Sequence, residues 1–321
     1  MKTKITTIWI FAMILLCAIT EFGQMPIKGV TDSAVAKLGS GFSSNAAEVN
    51  GTTIHYVRGG TGGAGTAVIL IHGFPQDWYE FHKVMPRLAQ KFTVIAVDLR
   101  GIGGSKATAD GYDAANLAKD IEQLAAKLKL EHYYVAGHDM GGMVAYAFAR
   151  QFPEKTRGVM ILEAPLPGIE PWNEIVTNPK LWHVNFNQTP ELPEKLVMGR
   201  QSEYLGYFFK FIKTGLTDAE ATHYVNSYKS ANQLRAGFEL YRALPLNEKF
   251  NAAQTAPLEL PLVLVGGEES FGKLIPRFAE SLRKNGCRNV TTEIIKNAAH
   301  YVADEQPEAV AELIERYASV K

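Results

Sequence analysis

Five short, uninterrupted apolar runs punctuate the chain, at residues 67–71, 92–97, 133–136, 158–162 and 262–265. A run of four to six residues with no polar alternation reads as a strand covered on both faces. Helical patterns stand between these runs, for example at 114–128 and 143–151. Buried strands alternating with helices build a parallel sheet with helices on both faces. The alternation fails between about 166 and 257, where an aromatic-rich helical stretch carries Tyr204, Tyr207, Phe208, Phe209, Phe211, Tyr224, Tyr228, Phe238 and Tyr241. The expected class is therefore α/β: a mostly parallel central sheet, helices on both faces, and a helical cap inserted between two halves of the sheet. The boundaries read 47–166 for the first part of the core, 167–256 for the cap and 257–321 for the second part.

Regular patterning starts at Ala47 and continues through Val49, Thr53, Tyr56 and Val57 as one early strand, with a glycine-rich turn at 59–63. Residues 25–46 are small and polar and read as irregular. Before them, Lys2 and Lys4 precede an apolar run at 8–19. That length suits a signal peptide and falls short of the roughly 20 residues that cross a bilayer. Residues 1–24 are thus expected to be a leader, cut between 20 and 24, which makes the protein exported and leaves no stable membrane span; an uncleaved anchor is the alternative. Cleavage removes Cys17 and leaves Cys287 alone, so neither an internal disulfide nor a cysteine metal cage is expected. Thirty-three basic residues balance thirty-three acidic ones, which leaves no electrostatic footprint for nucleic acid.

The chemistry gathers at three places. The strand at 133–136 runs into Gly137-His138-Asp139-Met140-Gly141-Gly142 and then a helix. This is the pattern of a nucleophile elbow, small residues flanking a nucleophile on a sharp strand-to-helix turn, with aspartate in the nucleophile slot. The turn sets Asp139 at the positive end of the helix. A helix N-cap aspartate gives the same local pattern. His72-Gly73-Phe74-Pro75 follows the first buried run, where the Phe74 and Met140 amides converge as an oxyanion hole, and His72 is assigned a structural role. Asn297-Ala298-Ala299-His300 lies beyond the last expected strand, 290–295. Nucleophile, acid and then a late histidine is the α/β-hydrolase order.

With these motifs the chain resembles the epoxide-hydrolase and dehalogenase branch of the α/β-hydrolase fold over about 45–320, including Asp98-Leu99-Arg100-Gly101 to Ser105. Within that branch it is similar to the secreted Cif class of epoxide hydrolases, through Glu163-Ala164-Pro165-Leu166-Pro167, Leu181-Trp182-His183 and Phe238 to Leu244. Most of the branch carries an aspartate in the loop after the penultimate strand, where this chain has Ser270. The resemblance places the acid at Glu163 instead, with Glu268 or Glu269 as the fallback. It also implies that His183 and Tyr241 hydrogen-bond the epoxide oxygen, that Phe74 and Trp182 contact substrate, and that the protein is a homodimer with a host-directed role.

A carboxylate is ionised at neutral pH without a base, since ordinary Asp has a pKa of about 4. Asp139 is thus expected to attack an epoxide carbon and form an ester, which water activated by His300 hydrolyses to a vicinal diol, with no cofactor or metal. Serine elbows suit substrates that bring a carbonyl; an epoxide brings an sp³ carbon, so the enzyme supplies the carbonyl. The rival readings are a haloacid or haloalkane dehalogenase using the same aspartate, and a non-catalytic host-interaction module. Haloalkane dehalogenases place Trp after the nucleophile and fluoroacetate dehalogenases place Arg; here the residue is Met140.

Overall fold

The structure is a computed structural model that describes residues 31–60 and 66–320. The expected leader, the first part of the 25–46 segment and most of the 59–63 turn lie outside the described residues. Eight strands form one sheet: β1 (Phe42–Val49), β2 (Thr52–Gly59), β3 (Ala67–Ile71), β4 (Thr93–Val97), β5 (Tyr133–His138), β6 (Thr156–Leu162), β7 (Leu262–Gly267) and β8 (Val290–Ile295), in the order β1-β2-β4-β3-β5-β6-β7-β8. β2 pairs antiparallel with β1 and β4; every pair from β4 to β8 is parallel. Every residue of β3, β4, β5 and β7 is buried. Cover on both faces is why these runs tolerate no polar alternation.

The N-terminal part departs from expectation. The segment 25–46 is not irregular throughout: it contains a helix, Thr31–Ala36, and more than half of β1. β1 is an edge strand of sequence Phe-Ser-Ser-Asn-Ala-Ala-Glu-Val, and most of its residues are only partly covered, so it has little need of apolar side chains. The single early strand is in fact a hairpin, turned at Asn50 and Gly51, which both take positive φ (43° and 74°). Asn-Gly is the pair that such two-residue hairpin turns demand.

The chain leaves β3 for β4 on one side and then crosses to β5 on the other. Such a reversal opens a crevice at the carboxyl ends of the two strands, where α/β proteins bind ligands. Ile71 pairs with Gly137 there, so the loops that begin at His72 and His138 lie side by side. Seven α-helices, from Trp172–Val176 to Leu244–Ala252, stand between β6 and β7. They are fastened to the core by His223 Nε2 on Asp77 Oδ2 (2.9 Å), by a short Ser227 hydroxyl bond to the same oxygen, and by His82 Nε2 on Glu220 Oε1 (2.9 Å). Among the described residues no helix is long and apolar enough to cross a membrane.

Candidate active site

β5 ends at His138, and the helix Met140–Gln151 starts two residues later, with Asp139 at φ 48° and ψ −116° between them. That conformation is costly for a residue bearing a Cβ and persists where packing over-determines it. The packing is visible: a Cβ at Gly141 would stand 2.1 Å from the Ile71 carbonyl oxygen, and one at Gly137 2.0 Å from that of Gly141. Helix and strand therefore meet backbone to backbone, and Asp139 is pushed out above the sheet. It makes no side-chain cap to its own helix. Its Oδ1 instead accepts the Phe74 amide at 3.0 Å. Met140 opens the helix, where the first N–H groups have no intrahelical partner. Oδ2 lies 3.8 Å from His300 Nε2.

His300 follows β8 and turns its Nδ1 onto Glu163 Oε2 at 3.1 Å. Glu163 sits one residue past β6, fully buried and at positive φ (48°). Its other oxygen, Oε1, accepts the amides of Gly267 at 2.6 Å and Phe271 at 3.2 Å. A buried carboxylate needs such partners to stay charged. The two fallback acids are occupied elsewhere: Glu268 Oε2 accepts the Asn297 amide at 3.1 Å, and Glu269 pairs with Lys213. Of the three, Glu163 is the one that reaches the histidine.

A cavity of about 380 Å³ opens over Asp139 and His300. Phe74, Met140, His183 and Tyr241 line it, with Tyr207 and Phe208 among the lid side chains. The rings interlock edge to face: Phe74 to Tyr241 at 5.1 Å, His183 to Phe208 at 5.0 Å, and His183 to Tyr241 at 5.9 Å. Burial lowers the His183 pKa to about 4, against the opposing pull of Asp139, so the ring is neutral. Burial and the Asp139 charge together hold the Tyr241 phenol well above its ordinary pKa. Both side chains are thus uncharged, and both face the cavity over Asp139. Among the described residues no group of His, Cys, Asp and Glu is arranged to hold a metal ion.

Trp182 is not where substrate contact requires it. It is 40% exposed and does not line the cavity; its indole N–H points to the Tyr207 hydroxyl at 3.5 Å. Adjacent residues of a helix point about 100° apart, so with His183 turned inward Trp182 faces outward. His72, by contrast, is fully buried and structural, with Nδ1 on the Gly73 carbonyl and Nε2 accepting the Leu99 amide at 3.0 Å. Sequence reasoning passed over Glu80 and His138, which lie 3.0 Å apart beneath the nucleophile. A lone charge inside Trp78-Tyr79-Glu80-Phe81 was the available signal.

The family model for the α/β-hydrolase fold matches residues 66–307. A soluble epoxide hydrolase of Corynebacterium sp. (strain C12) is 30% identical over 274 residues, 82% of this chain and 93% of the relative. A fluoroacetate dehalogenase of Burkholderia sp. is 34% identical over 185 residues, 54% of this chain and 59% of that one. The crystal structure of Cfl2 from Burkholderia cenocepacia superposes with a TM-score of 0.78 at 31% identity, covering 86% of this chain and 96% of that one. With its eight-stranded sheet and its elbow, the chain belongs to the α/β-hydrolase family.

Proposed function

We propose that this protein is an exported epoxide hydrolase that converts apolar epoxides to vicinal diols through an ester on Asp139. The observation that carries the reading is the division of labour between the two Asp139 oxygens. Oδ1 is held by the Phe74 amide, whereas Oδ2 faces His300 Nε2 at 3.8 Å. Oδ2 attacks an epoxide carbon as the ring C–O bond breaks; His183 and Tyr241 hydrogen-bond the departing oxygen, and Tyr241 gives it its proton. Oδ1 becomes the ester carbonyl, already seated against an amide donor. His300, oriented by Glu163, takes a proton from water, and the hydroxide adds to the ester carbon. Charge on Oδ1 then develops against the Phe74 and Met140 amides, and one such donor is worth roughly 10²–10³ in rate. Collapse breaks the ester C–O bond and releases the diol; the His300 proton goes to the freed oxygen, and the acid proton left on Asp139 restores the Tyr241 phenol.

Epoxide hydrolase relatives support the substrate class. The Cif-like assignment is supported by the acid at Glu163, and with it come the expectations of a homodimer and a host-directed role. Export is supported by the apolar run at 8–19 behind Lys2 and Lys4. The dehalogenase reading is favoured by the Burkholderia relative and opposed by Met140 after the nucleophile. The test is one turnover of excess enzyme with styrene oxide in ¹⁸O water, followed by peptide mass analysis. Label in the Asp139 side chain is expected; diol formed with no label there refutes the ester. Halide release from fluoroacetate or chloroalkanes without epoxide turnover would favour the rival.

A further inference from the structure

Glu80 is 1% exposed in the short turn Trp78–Phe81 and takes no part in the steps above. Its Oε2 accepts the Gly73 amide at 2.9 Å. Its Oε1 lies 3.0 Å from His138 Nδ1, off the line of an ideal hydrogen bond, so the contact is chiefly an ion pair. The far nitrogen of that ring, Nε2, donates to the His300 carbonyl at 2.9 Å. A proton on Nε2 is required by that carbonyl, and a proton on Nδ1 is favoured by the facing carboxylate. Burial pulls the His138 pKa down, but the Glu80 charge outweighs it and raises the value to about 9. His138 is thus a buried imidazolium, its Nε2–H on the His300 carbonyl and its Nδ1 side facing the Glu80 carboxylate.

These contacts join three loops that also meet at Asp139 itself. Gly73 precedes Phe74, whose amide holds Asp139, and it packs so closely that a Cβ on it would fall 2.6 Å from the Asp139 Cβ. His138 precedes the nucleophile, and the His300 carbonyl belongs to the residue proposed to activate water. We propose that Glu80 is a positioning residue for ester hydrolysis, a single buried carboxylate that fixes the oxyanion strap, the nucleophile's shoulder and the His300 loop against one another. This rests on the ester reading above. Attack on the epoxide needs Asp139 Oδ2 and the two lid donors, which hang from other elements. Hydrolysis needs the Phe74 amide and His300 together, and both are tied through Glu80.

The experiment measures alkylation and ester hydrolysis separately, by rapid quench with styrene oxide, in wild type, Glu80→Gln and Glu80→Gln/His138→Gln. Glutamine still accepts from Gly73 but withdraws the charge opposite His138; the double variant leaves no unpaired buried charge. In both variants alkylation is expected within about twofold of wild type and hydrolysis about tenfold to a hundredfold slower. Alkylated enzyme then accumulates, kcat falls, and kcat/KM holds. Hydrolysis should recover in part from the single to the double variant. Hydrolysis at the wild-type rate, or equal losses in both half-reactions, overturns the assignment and leaves the ester mechanism standing. A wild type that forms no ester overturns both.

Discussion

Glu163→Gln separates the two halves of the proposed reaction with the least disturbance to the fold. A glutamine carbonyl oxygen in place of Oε1 keeps the amides of Gly267 and Phe271, which now bond at 2.6 and 3.2 Å. Its NH₂ group then faces His300 Nδ1, where Oε2 now stands at 3.1 Å. An amide donor there forces Nδ1 to accept, which moves the ring proton to Nε2, the nitrogen beside Asp139 Oδ2. An imidazole protonated on Nε2 takes no proton from water. The corresponding wrong-tautomer substitution in a Ser-His-Asp triad costs about 10⁴ in kcat, or roughly 5 kcal/mol at about 1.36 kcal/mol per tenfold. The loss here falls on hydrolysis alone, because a carboxylate nucleophile needs no base. Single-turnover quench with intact-protein mass analysis is expected to show alkylation at the wild-type rate and an ester that persists. Hydrolysis slowed by less than about tenfold would refute the tautomer argument. So would a larger effect from Glu268→Gln or Glu269→Gln, whose carboxylates bond Asn297 and Lys213 instead.

Tyr241→Phe removes a neutral donor and is expected to slow alkylation about ten- to a hundredfold, as suits a hydrogen bond to developing charge; equal alkylation rates would take Tyr241 out of ring opening. Gly141→Ala puts a methyl 2.1 Å from the Ile71 carbonyl oxygen, so the elbow cannot close, and the variant should be recovered unfolded or with a sharply lower Tm. Asp77→Asn tests the lid fastening through pH. Burial raises the Asp77 pKa, but His223, Ser227 and the Tyr79 amide outweigh it and lower the value to about 2, while His223 itself is raised. The Asp77 contribution to stability is present above the ordinary carboxylate range and lost as pH falls through about 2; that of His223 is present below about 6.5 and lost as pH rises. The Tm gap between wild type and Asp77→Asn should therefore be widest between about pH 4 and 6.5. A gap that does not vary with pH would deny the ion pair any role.

What the sequence discloses follows how completely each element is buried. β3 to β7 announce themselves because cover on both faces leaves mostly apolar runs, β6 being exposed only at Arg157 near its start. The first part of β1, Phe42 to Ala46, escapes detection because an edge strand has one neighbour and a half-open face. The elbow is readable since its glycines answer a local steric demand, whereas the phase of the Trp182–Gln188 helix is not: Trp182 and His183 are adjacent, and only packing decides which turns inward. Glu163 illustrates a different limit. Its use as the acid depends on β6 and β7 lying side by side, so that a side chain at the end of one meets the amides after the other. Glu80 and His138 stand 58 positions apart and acquire meaning only through contact.

The charges of the site also bear on what kind of leaving group it suits. Two buried carboxylates each face a histidine, Glu163 with His300 and Glu80 with His138, and both of those histidines stand beside Asp139 or next to it in sequence. The lid side is the opposite: burial leaves His183 unprotonated and Tyr241 un-ionised, so it offers N–H and O–H groups without net charge. A halide is also stabilised by neutral donors, but it leaves as an anion that needs no proton. An epoxide oxygen leaves as an alkoxide, a far stronger base than phenoxide, and it must end protonated. A neutral phenol poised over a carboxylate nucleophile can stabilise that oxygen as its charge grows and then supply the proton. The lid chemistry therefore suits an oxygen leaving group, but dehalogenase lids also carry His and Tyr, so Tyr241 and His183 do not by themselves separate the two rival reactions, and the discriminating position is Met140 after the nucleophile.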